Sequence, residues 1–338
     1  MAITLKFGIL DYAPIDEGNT AVQAVRQSRD LVELAEEHGY QRFWLAEHHG
    51  ISALASVSPE VLIANHAAVT ERIRIGSGGV MIPNYSAMKV AENFRQLSAL
   101  SPGRIDLGVG RTTGAADPRF TRALNDQTAG TLTFEKKMDN ILGFFTGDHP
   151  EESEYRALRA GPVTDQSPTP FVLGAGGSTA PYAGERGIGF TFAHFINGSK
   201  RGVRAARVYR DAFRPSPFLD RPNLIVAVFV AVGDTEAEAE ELANTLHLWM
   251  ARIETGTHFA SLPPVEYAAG QRLTDREKSA RERNESRLIW GTAGRVVRQL
   301  RELGDAYGAD EVMVNPLVPG AENRRRTIAA IAEANAHG

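Results

Sequence analysis

Over its 338 residues the chain lacks cysteine, long apolar runs and any large excess of one charge. Without cysteine it can form neither disulfides nor thiolate metal sites. No stretch approaches the roughly 20 apolar residues that a membrane-spanning helix needs. With 37 basic and 41 acidic residues, a net charge of −4 offers no basic field for nucleic acid or an anionic membrane.

The first residues, Met-Ala-Ile-Thr-Leu-Lys-Phe-Gly, do not place an apolar segment after a charged one, so no secretory signal is expected. Apolar residues make up 43% of the chain, which is enough for a full core. The length suits either two ordinary domains or one large α/β barrel. These features predict a cytoplasmic enzyme that binds neither nucleic acid nor membrane.

Strand and helix patterns alternate along almost the whole chain, which is typical of βα units around a parallel sheet. Most of the strand patterns are short apolar runs, as expected for strands buried on both faces. Eight strands are predicted, at 4–10, 42–46, 73–78, 105–109, 170–175, 189–193, 224–232 and 311–315. We therefore predict an α/β fold, a (β/α)8 TIM barrel in which residues 1–338 form a single domain. A Rossmann domain followed by a second domain would need a boundary that the sequence does not show.

The predicted barrel is interrupted before its eighth strand by an insertion at about 254–287. This segment is far longer than an ordinary connection between a strand and a helix. It contains Gly256 and Gly270 and then becomes highly charged. An insertion at the C-terminal rim of a barrel stands over the active site, so a mobile lid is predicted. A rigid helical excursion used for dimer packing is the alternative.

The second predicted strand ends in three titratable residues, Glu47, His48 and His49. Barrel enzymes place their chemistry at the C-terminal ends of the strands. Because side chains alternate along a strand, one histidine can face the barrel mouth while the other braces the structure. A histidine exchanges protons near neutral pH, so His48 is the predicted catalytic residue. A structural histidine is the alternative, and a metal site is disfavoured because no His-Glu-x-x-His spacing occurs.

The fourth predicted strand follows a tight Ser-Pro-Gly turn and ends at Gly110 and Arg111. Glycine lets a planar ligand approach the backbone closely. Arginine at a strand end can hold a phosphate through two hydrogen bonds. The alternative is an ordinary surface arginine in a loop.

The fifth predicted strand runs into a glycine–hydroxyl loop made of Ala175, Gly176, Gly177, Ser178 and Thr179. Backbone N–H groups at such a turn, together with the start of the following helix, bind anions. The pattern also resembles a dinucleotide fingerprint, but the next strand ends in His194 and Phe195 rather than in the expected acidic residue. We predict a phosphate-binding loop; a glycine-rich helix start without a ligand is the alternative.

An arginine, a glycine–hydroxyl loop and a histidine at one rim favour a phosphorylated, planar cofactor. At this point the chain resembles the bacterial luciferase-like flavin monooxygenases, in particular their luciferase-family oxidoreductases, over nearly its whole length. The motifs that carry the resemblance occur in order: Phe43-Trp-Leu-Ala-Glu-His-His49, Arg74-Ile-Gly-Ser-Gly-Gly-Val-Met-Ile-Pro83, Val90-Ala-Glu92, Leu100-Ser-Pro-Gly-Arg104, Gly108-Val-Gly-Arg111 and Gly174-Ala-Gly-Gly-Ser-Thr179.

The resemblance implies that FMN binds at the C-terminal face of the barrel. Arg111 matches the arginine that holds the FMN phosphate, and His48 matches the histidine near the flavin ring. Ser77 and Gly78 match the place where the family often has a non-proline cis peptide beneath that ring. The full predicted cofactor set is Ser77, Gly78, Gly110, Arg111, Ala175, Gly176, Gly177, Ser178 and Thr179, with no metal ligand.

By the same resemblance, reduced FMN reacts with O2 to give a C4a-peroxyflavin, which oxygenates a small hydrophobic organic substrate. No nicotinamide fingerprint is evident, so a separate NAD(P)H-dependent flavin reductase is expected to supply reduced FMN. A homodimer is also expected. Two alternatives stay open: a deazaflavin-dependent hydride-transfer oxidoreductase on the same barrel, and a non-catalytic flavin-binding protein that would not need His48.

Overall fold

The computed structural model describes residues 5–115, 117–125, 132–198 and 200–337. The strands are β1 (Lys6–Asp11), β2 (Arg42–Leu45), β3 (Arg74–Met81), β4 (Ile105–Gly110), β5 (Thr169–Gly174), β6 (Gly189–Ala193), β7 (Leu224–Val232), β8 (Leu288–Gly291) and β9 (Glu311–Asn315). The helices are α1 (Ala21–Glu37), α2 (Pro59–Ala67), α3 (Ala87–Leu100), α4 (Pro118–Asn125), α5 (Phe134–Thr146), α6 (Ala180–Glu185), α7 (Arg201–Ala212), α8 (Glu236–Glu254), α9 (Val265–Ala269), α10 (Asp275–Asn284), α11 (Ala293–Tyr307) and α12 (Ala321–Ala336).

Eight of these strands close into a parallel barrel. Neighbouring strands pair in chain order from β1 to β7, and β9 closes the ring by pairing with both β7 and β1. The predicted (β/α)8 barrel is therefore confirmed. Because all the strands run the same way, the residues that follow their C-terminal ends meet at one rim.

The strands are buried on both faces, which explains their apolar runs. Ile9 and Phe43 point outwards into the core between strands and helices. Their neighbours Leu10 and Trp44 belong to a second apolar cluster that fills the barrel interior. This alternation follows from the two-residue period of a strand. Each such side chain contributes roughly 1.5–3 kcal/mol when it is buried.

A buried charge network closes the N-terminal end of the barrel. The Arg42 guanidinium donates hydrogen bonds of 2.7 Å to both Glu311 and Asp106. Asp106 also accepts hydrogen bonds from Trp44 and Arg74. Burial alone would raise the pKa of Asp106, but the two arginines hold it below its ordinary value. Two arginines thus balance two carboxylates, which gives this end of the barrel a structural role.

Two features of the fold were not predicted from the sequence. Strand β8 lies beside the end of β7, where Phe229 pairs with Leu288, and it is not part of the closed ring. Helix α4 lies in the connection after β4. The predicted start of the first strand, Thr4, lies outside the described residues.

The excursion after β7 begins earlier than the predicted boundary at 254. The chain leaves the barrel after β7 and returns beside the same strand at β8, so α8, α9 and α10 all belong to this excursion. Helix α8 adds Leu242, Leu246, Trp249 and Met250 to the apolar cluster of the barrel interior. Helix α11 then leads down to β9, as the ordinary helix of a βα unit does.

Backbone hydrogen bonds tie the excursion to the rest of the molecule, and side-chain hydrogen bonds hold its helices to one another. Leu262 exchanges backbone hydrogen bonds with Ile15 and Glu17 in the loop after β1. Arg252 on α8 donates hydrogen bonds to Glu277 on α10, at 3.1 Å, and to Gln271, at 2.8 Å. These contacts are compatible with a rigid helical excursion, and the mobile lid stays a prediction.

Stability is expected to fall as the pH is lowered from 7 to 5, and His66 on α2 should contribute. Burial lowers the pKa of His66 from 6.5 to about 4, and its Nε2 lies 2.9 Å from the Ser28 hydroxyl. Between pH 6.5 and pH 4, His66 therefore binds a proton in the unfolded chain but not in the folded chain. The stability that neutral His66 contributes is lost as the pH falls below 6.5. By linkage this amounts to about 2 kcal/mol at pH 5, as an upper value.

Chemical denaturation of wild type and His66→Gln at both pH values tests this. The free energy of unfolding should depend less steeply on pH in the variant, whatever its absolute stability. The exposed His337→Gln serves as the control. Equal slopes for wild type and His66→Gln would remove His66 from the explanation.

Within the described residues, no helix combines the length and the apolar character that crossing a bilayer requires.

Candidate active site

His48 lies at the C-terminal rim, three residues beyond the buried strand β2. Its ring packs on the ring of Tyr12, with 4.5 Å between the ring centres. Its Nδ1 atom is buried and has no hydrogen-bond partner among the described residues. Burial, and to a lesser extent His49, lowers the pKa of His48 to about 4. The imidazole is therefore neutral near pH 7, with a buried nitrogen available for a hydrogen bond or a proton.

His49 points the other way, into a buried polar cluster. Its Nε2 lies 2.7 Å from a carboxylate oxygen of Glu47, which is fully buried. Glu47 also accepts hydrogen bonds from the Tyr85 hydroxyl, at 2.8 Å, and from the Met81 backbone, at 2.9 Å. This arrangement ties the end of β2 to the end of β3. The two adjacent histidines thus have different surroundings, as the alternation of side chains predicted.

An aromatic cluster adjoins His48 through Tyr12. Tyr12 contacts both Phe195 and Phe229 edge to face, with 6.4 Å between ring centres in each pair. Phe195 and Phe229 lie 5.0 Å apart. Tyr12 follows β1 directly, but its position was not selected from the sequence. Together these rings form an apolar wall on which a planar ligand could pack.

Arg111 and Ser178 come together as the sequence predicted. Arg111 follows β4, and its Nη1 atom donates a hydrogen bond of 3.0 Å to the Ser178 hydroxyl in the loop after β5. Its Nη2 atom donates one of 2.7 Å to Glu135 on α5. The guanidinium also lies 5.5 Å from the centre of the Phe134 ring. Sequence analysis missed Glu135, because a glutamate in the first turn of a helix is a common feature with no functional signal.

The glycine–hydroxyl loop of residues 175–179 is open where the ligand is expected. Gly176 and Gly177 are exposed, with no atom close to the position that a Cβ would take. Their backbone N–H groups donate to no backbone carbonyl among the described residues. The Ala175 carbonyl accepts a hydrogen bond of 3.1 Å from Asn197. Donors of this kind, beside Arg111, fit the phosphate of a flavin.

Thr179 lies behind this loop rather than at its surface. It is buried, and its hydroxyl packs against Gly174 without a hydrogen-bond partner among the described residues. The helix that follows, α6, has six residues. The macrodipole of so short a helix is small. An anion would therefore be bound mainly by the backbone and side-chain donors of the loop.

The cis peptide lies one bond beyond the predicted place. It joins Gly78 to Gly79, whereas Ser77 to Gly78 was predicted. Ser77 lies in the regular part of the pairing between β3 and β4. Its hydroxyl donates a hydrogen bond of 2.8 Å to the Gly108 carbonyl. The pairing of β3 with β4 becomes irregular only after Gly78. A Cβ at Gly79 would lie 2.6 Å from the Gly108 carbonyl oxygen, so this bend requires glycine.

The loops after β2 and β4 pack against each other and so bring the two halves of the site together. The His49 backbone N–H donates a hydrogen bond of 2.8 Å to the Gly114 carbonyl, and His49 also forms a parallel bridge with Ala115. Gly110 contacts Met81 at the end of β3. His48 and Arg111 therefore stand on adjoining loops at one rim. No cluster of metal-ligating side chains occurs in the part of the chain that the structure describes.

Comparison with known proteins finds relatives that are named as monooxygenases. The model of the luciferase-like monooxygenase family matches residues 5–311. A luciferase-like monooxygenase of Escherichia coli is 34% identical over 314 residues, which is 92% of this chain and 91% of the relative. An N-acetyl-S-alkylcysteine monooxygenase of Bacillus subtilis is 41% identical over 234 residues, 69% of this chain and 70% of the relative.

Solved structures agree in fold. The crystal structure of apo-MsnO8 superposes with a TM-score of 0.88 at 33% identity, and 98% of each chain is covered. The oxygenating constituent of 3,6-diketocamphane monooxygenase from Pseudomonas putida, in complex with FMN, gives 0.69 at 18% identity, again over 98% of each chain. An F420-dependent secondary alcohol dehydrogenase gives 0.66 at 14% identity and 98% coverage of each chain. The last two share the fold alone.

The family model covers most of the chain, and the relatives extend over much of its length. The chain therefore belongs to the luciferase-like monooxygenase family and is an oxidoreductase of the monooxygenase class.

Proposed function

We propose that this chain is the oxygenating component of a two-component monooxygenase. It binds reduced FMN, which a separate NAD(P)H-dependent flavin reductase supplies, and uses O2 to oxygenate a small organic substrate. The observation that carries this proposal is the contact between Arg111 and Ser178, 67 residues apart, at the rim where His48 stands. An exposed cation beside a glycine–hydroxyl loop suits a phosphate, and the apolar wall beside it suits a flavin ring.

The phosphate would be held by Arg111, Ser178 and the backbone N–H groups of Gly176 and Gly177. The aromatic wall of Tyr12, Phe195 and Phe229 would exclude water from the reacting end. When bound, reduced FMN would supply the activation of O2. What the protein adds is orientation, a dry environment and control of protons.

His48 is the residue that we assign to proton control. It is neutral near pH 7, and its buried Nδ1 atom has no partner among the described residues. A neutral imidazole can accept a proton, or donate a hydrogen bond, at the mouth of the barrel. The Nδ1 atom of His66 is also buried and unpartnered within the described structure, so what distinguishes His48 is its place at the C-terminal rim beside Tyr12.

We also propose that the chain forms a homodimer. Three valines at the start of α1 and around the start of α2 are exposed, and they offer an apolar surface to a second copy: Val22, Val57 and Val61. Measuring the molecular mass in solution tests this.

The function can be tested in a coupled assay. The chain is incubated with NADH, FMN, a flavin reductase and O2 against a panel of thioethers, ketones and aromatic compounds. N-acetyl-S-alkylcysteine belongs in the panel because a 41% identical relative is named for it. An oxygenated product that requires both the chain and the reductase supports the proposal. Conversion that needs reduced deazaflavin and proceeds without O2 would contradict it.

A further inference from the structure

The arginine assigned to the flavin phosphate already has an anionic partner. Glu135 lies 2.7 Å from Arg111, and both side chains are 41% exposed. Glu135 stands in the first turn of α5, and Arg111 stacks on the neighbouring Phe134. The Glu135 carboxylate thus already accepts a hydrogen bond from Nη2, one of the two terminal nitrogens of the Arg111 guanidinium.

A second ion pair stands beside the pair of Arg111 and Glu135. One turn further along α5, Asp139 pairs with Arg186 at 2.7 Å. Two carboxylates therefore match two guanidinium groups around the glycine–hydroxyl loop. The phosphate of FMN carries a charge of about −1.5 to −2 at pH 7. To bind through both arms of Arg111, it must displace Glu135 and then remain close to that negative charge.

We propose that Glu135 is an affinity-setting residue that keeps the flavin exchangeable by competing with its phosphate for Arg111. This inference rests on the proposed function. A chain that receives reduced flavin from a separate reductase must bind and release it in each cycle. A fully positive phosphate site would hold the flavin more firmly, whereas a shared arginine makes phosphate binding weaker and release faster.

The test is Glu135→Gln, which keeps an oxygen acceptor for Arg111 and removes the charge. The affinity for FMN should rise about three- to twentyfold, as expected when a screened like charge next to the phosphate is removed. The rate of FMN release should fall by a similar factor. Riboflavin, which has no phosphate, should bind wild type and variant equally. Flavin fluorescence quenching and stopped-flow dissociation measure these quantities without turnover.

Two further variants make the test specific. Asp139→Asn removes the same charge from the same helix, but from the partner of Arg186, so it should change FMN affinity much less. Adding Arg111→Ala to Glu135→Gln should abolish the increase in FMN affinity. Unchanged or weaker FMN binding in Glu135→Gln would overturn the inference, since Glu135 would then be neutral or would orient Arg111. If Arg111→Ala alone leaves FMN affinity unchanged, the phosphate site of the proposed function fails instead.

Discussion

His48→Ala is expected to reduce turnover by about 10²–10⁴-fold while leaving FMN affinity unchanged, the range for loss of a general acid or base. The reason lies in the geometry of the rim. His48 presents a buried, unpartnered nitrogen within the described structure, next to Tyr12. The phosphate contacts assigned to the flavin come from other loops, so binding and turnover should separate.

The pH dependence gives a second readout of the same prediction. Because the pKa of His48 is lowered to about 4, the residue is neutral throughout the range near pH 7. The rate at saturating flavin and substrate should therefore show no inflection near pH 6.5 that depends on His48, and any such inflection should lie closer to pH 4. His48→Gln, which keeps hydrogen bonding but cannot exchange a proton, should be slow as well. Normal turnover in either variant would return His48 to a structural role.

Arg111→Ala is expected to weaken FMN binding about ten- to a hundredfold, because a charge-assisted hydrogen bond to phosphate contributes roughly 1.5–3 kcal/mol. Riboflavin binding should change little, since Arg111 is assigned to the phosphate. Ser178→Ala should have a smaller effect, because a neutral donor contributes about 0.5–1.5 kcal/mol. Equilibrium titration by fluorescence quenching measures all three.

Arg186→Ala is the matched control for this loss. Arg186 resembles Arg111 in exposure, at 41%, in its 2.7 Å pairing with a carboxylate and in its stacking on an aromatic ring. It differs in that Ser178 does not contact it within the described structure. An equal loss of FMN affinity in both variants would mean that general surface charge, rather than a site at Arg111, binds the phosphate.

The barrel could be predicted from the sequence because each of its strands is a separate apolar run. The excursion after β7 was harder to place. Helix α8 has the apolar spacing of an ordinary βα helix, so its sequence does not show that the excursion begins there. That becomes clear only from the place where the chain returns to the sheet. That return is β8, a strand of four residues directly after a charged helix, which is too short to give a clear pattern.

The candidate site could be predicted where polar residues interrupt the sequence shortly after an apolar run. His48, Arg111 and Ser178 were selected in this way, whereas Tyr12 was not, because an aromatic residue does not stand out from the apolar run of β1. Glu135 could not be found in this way, because its contact with Arg111 depends on how α5 packs against the rim. The cis peptide was placed one bond too early, since a run of glycines gives no side-chain signal to fix its position.

The most direct test of the account is the origin of the oxygen atom in the product. The coupled reaction is run under dioxygen enriched in the heavy isotope, with reduced FMN from the reductase and the substrate found in the panel. The account predicts that one labelled oxygen atom enters the product, and that the yield falls strongly in His48→Ala. A product that carries oxygen from water, or one that is oxidised without gaining oxygen, would contradict the assignment of this chain as an FMN-dependent oxygenating component.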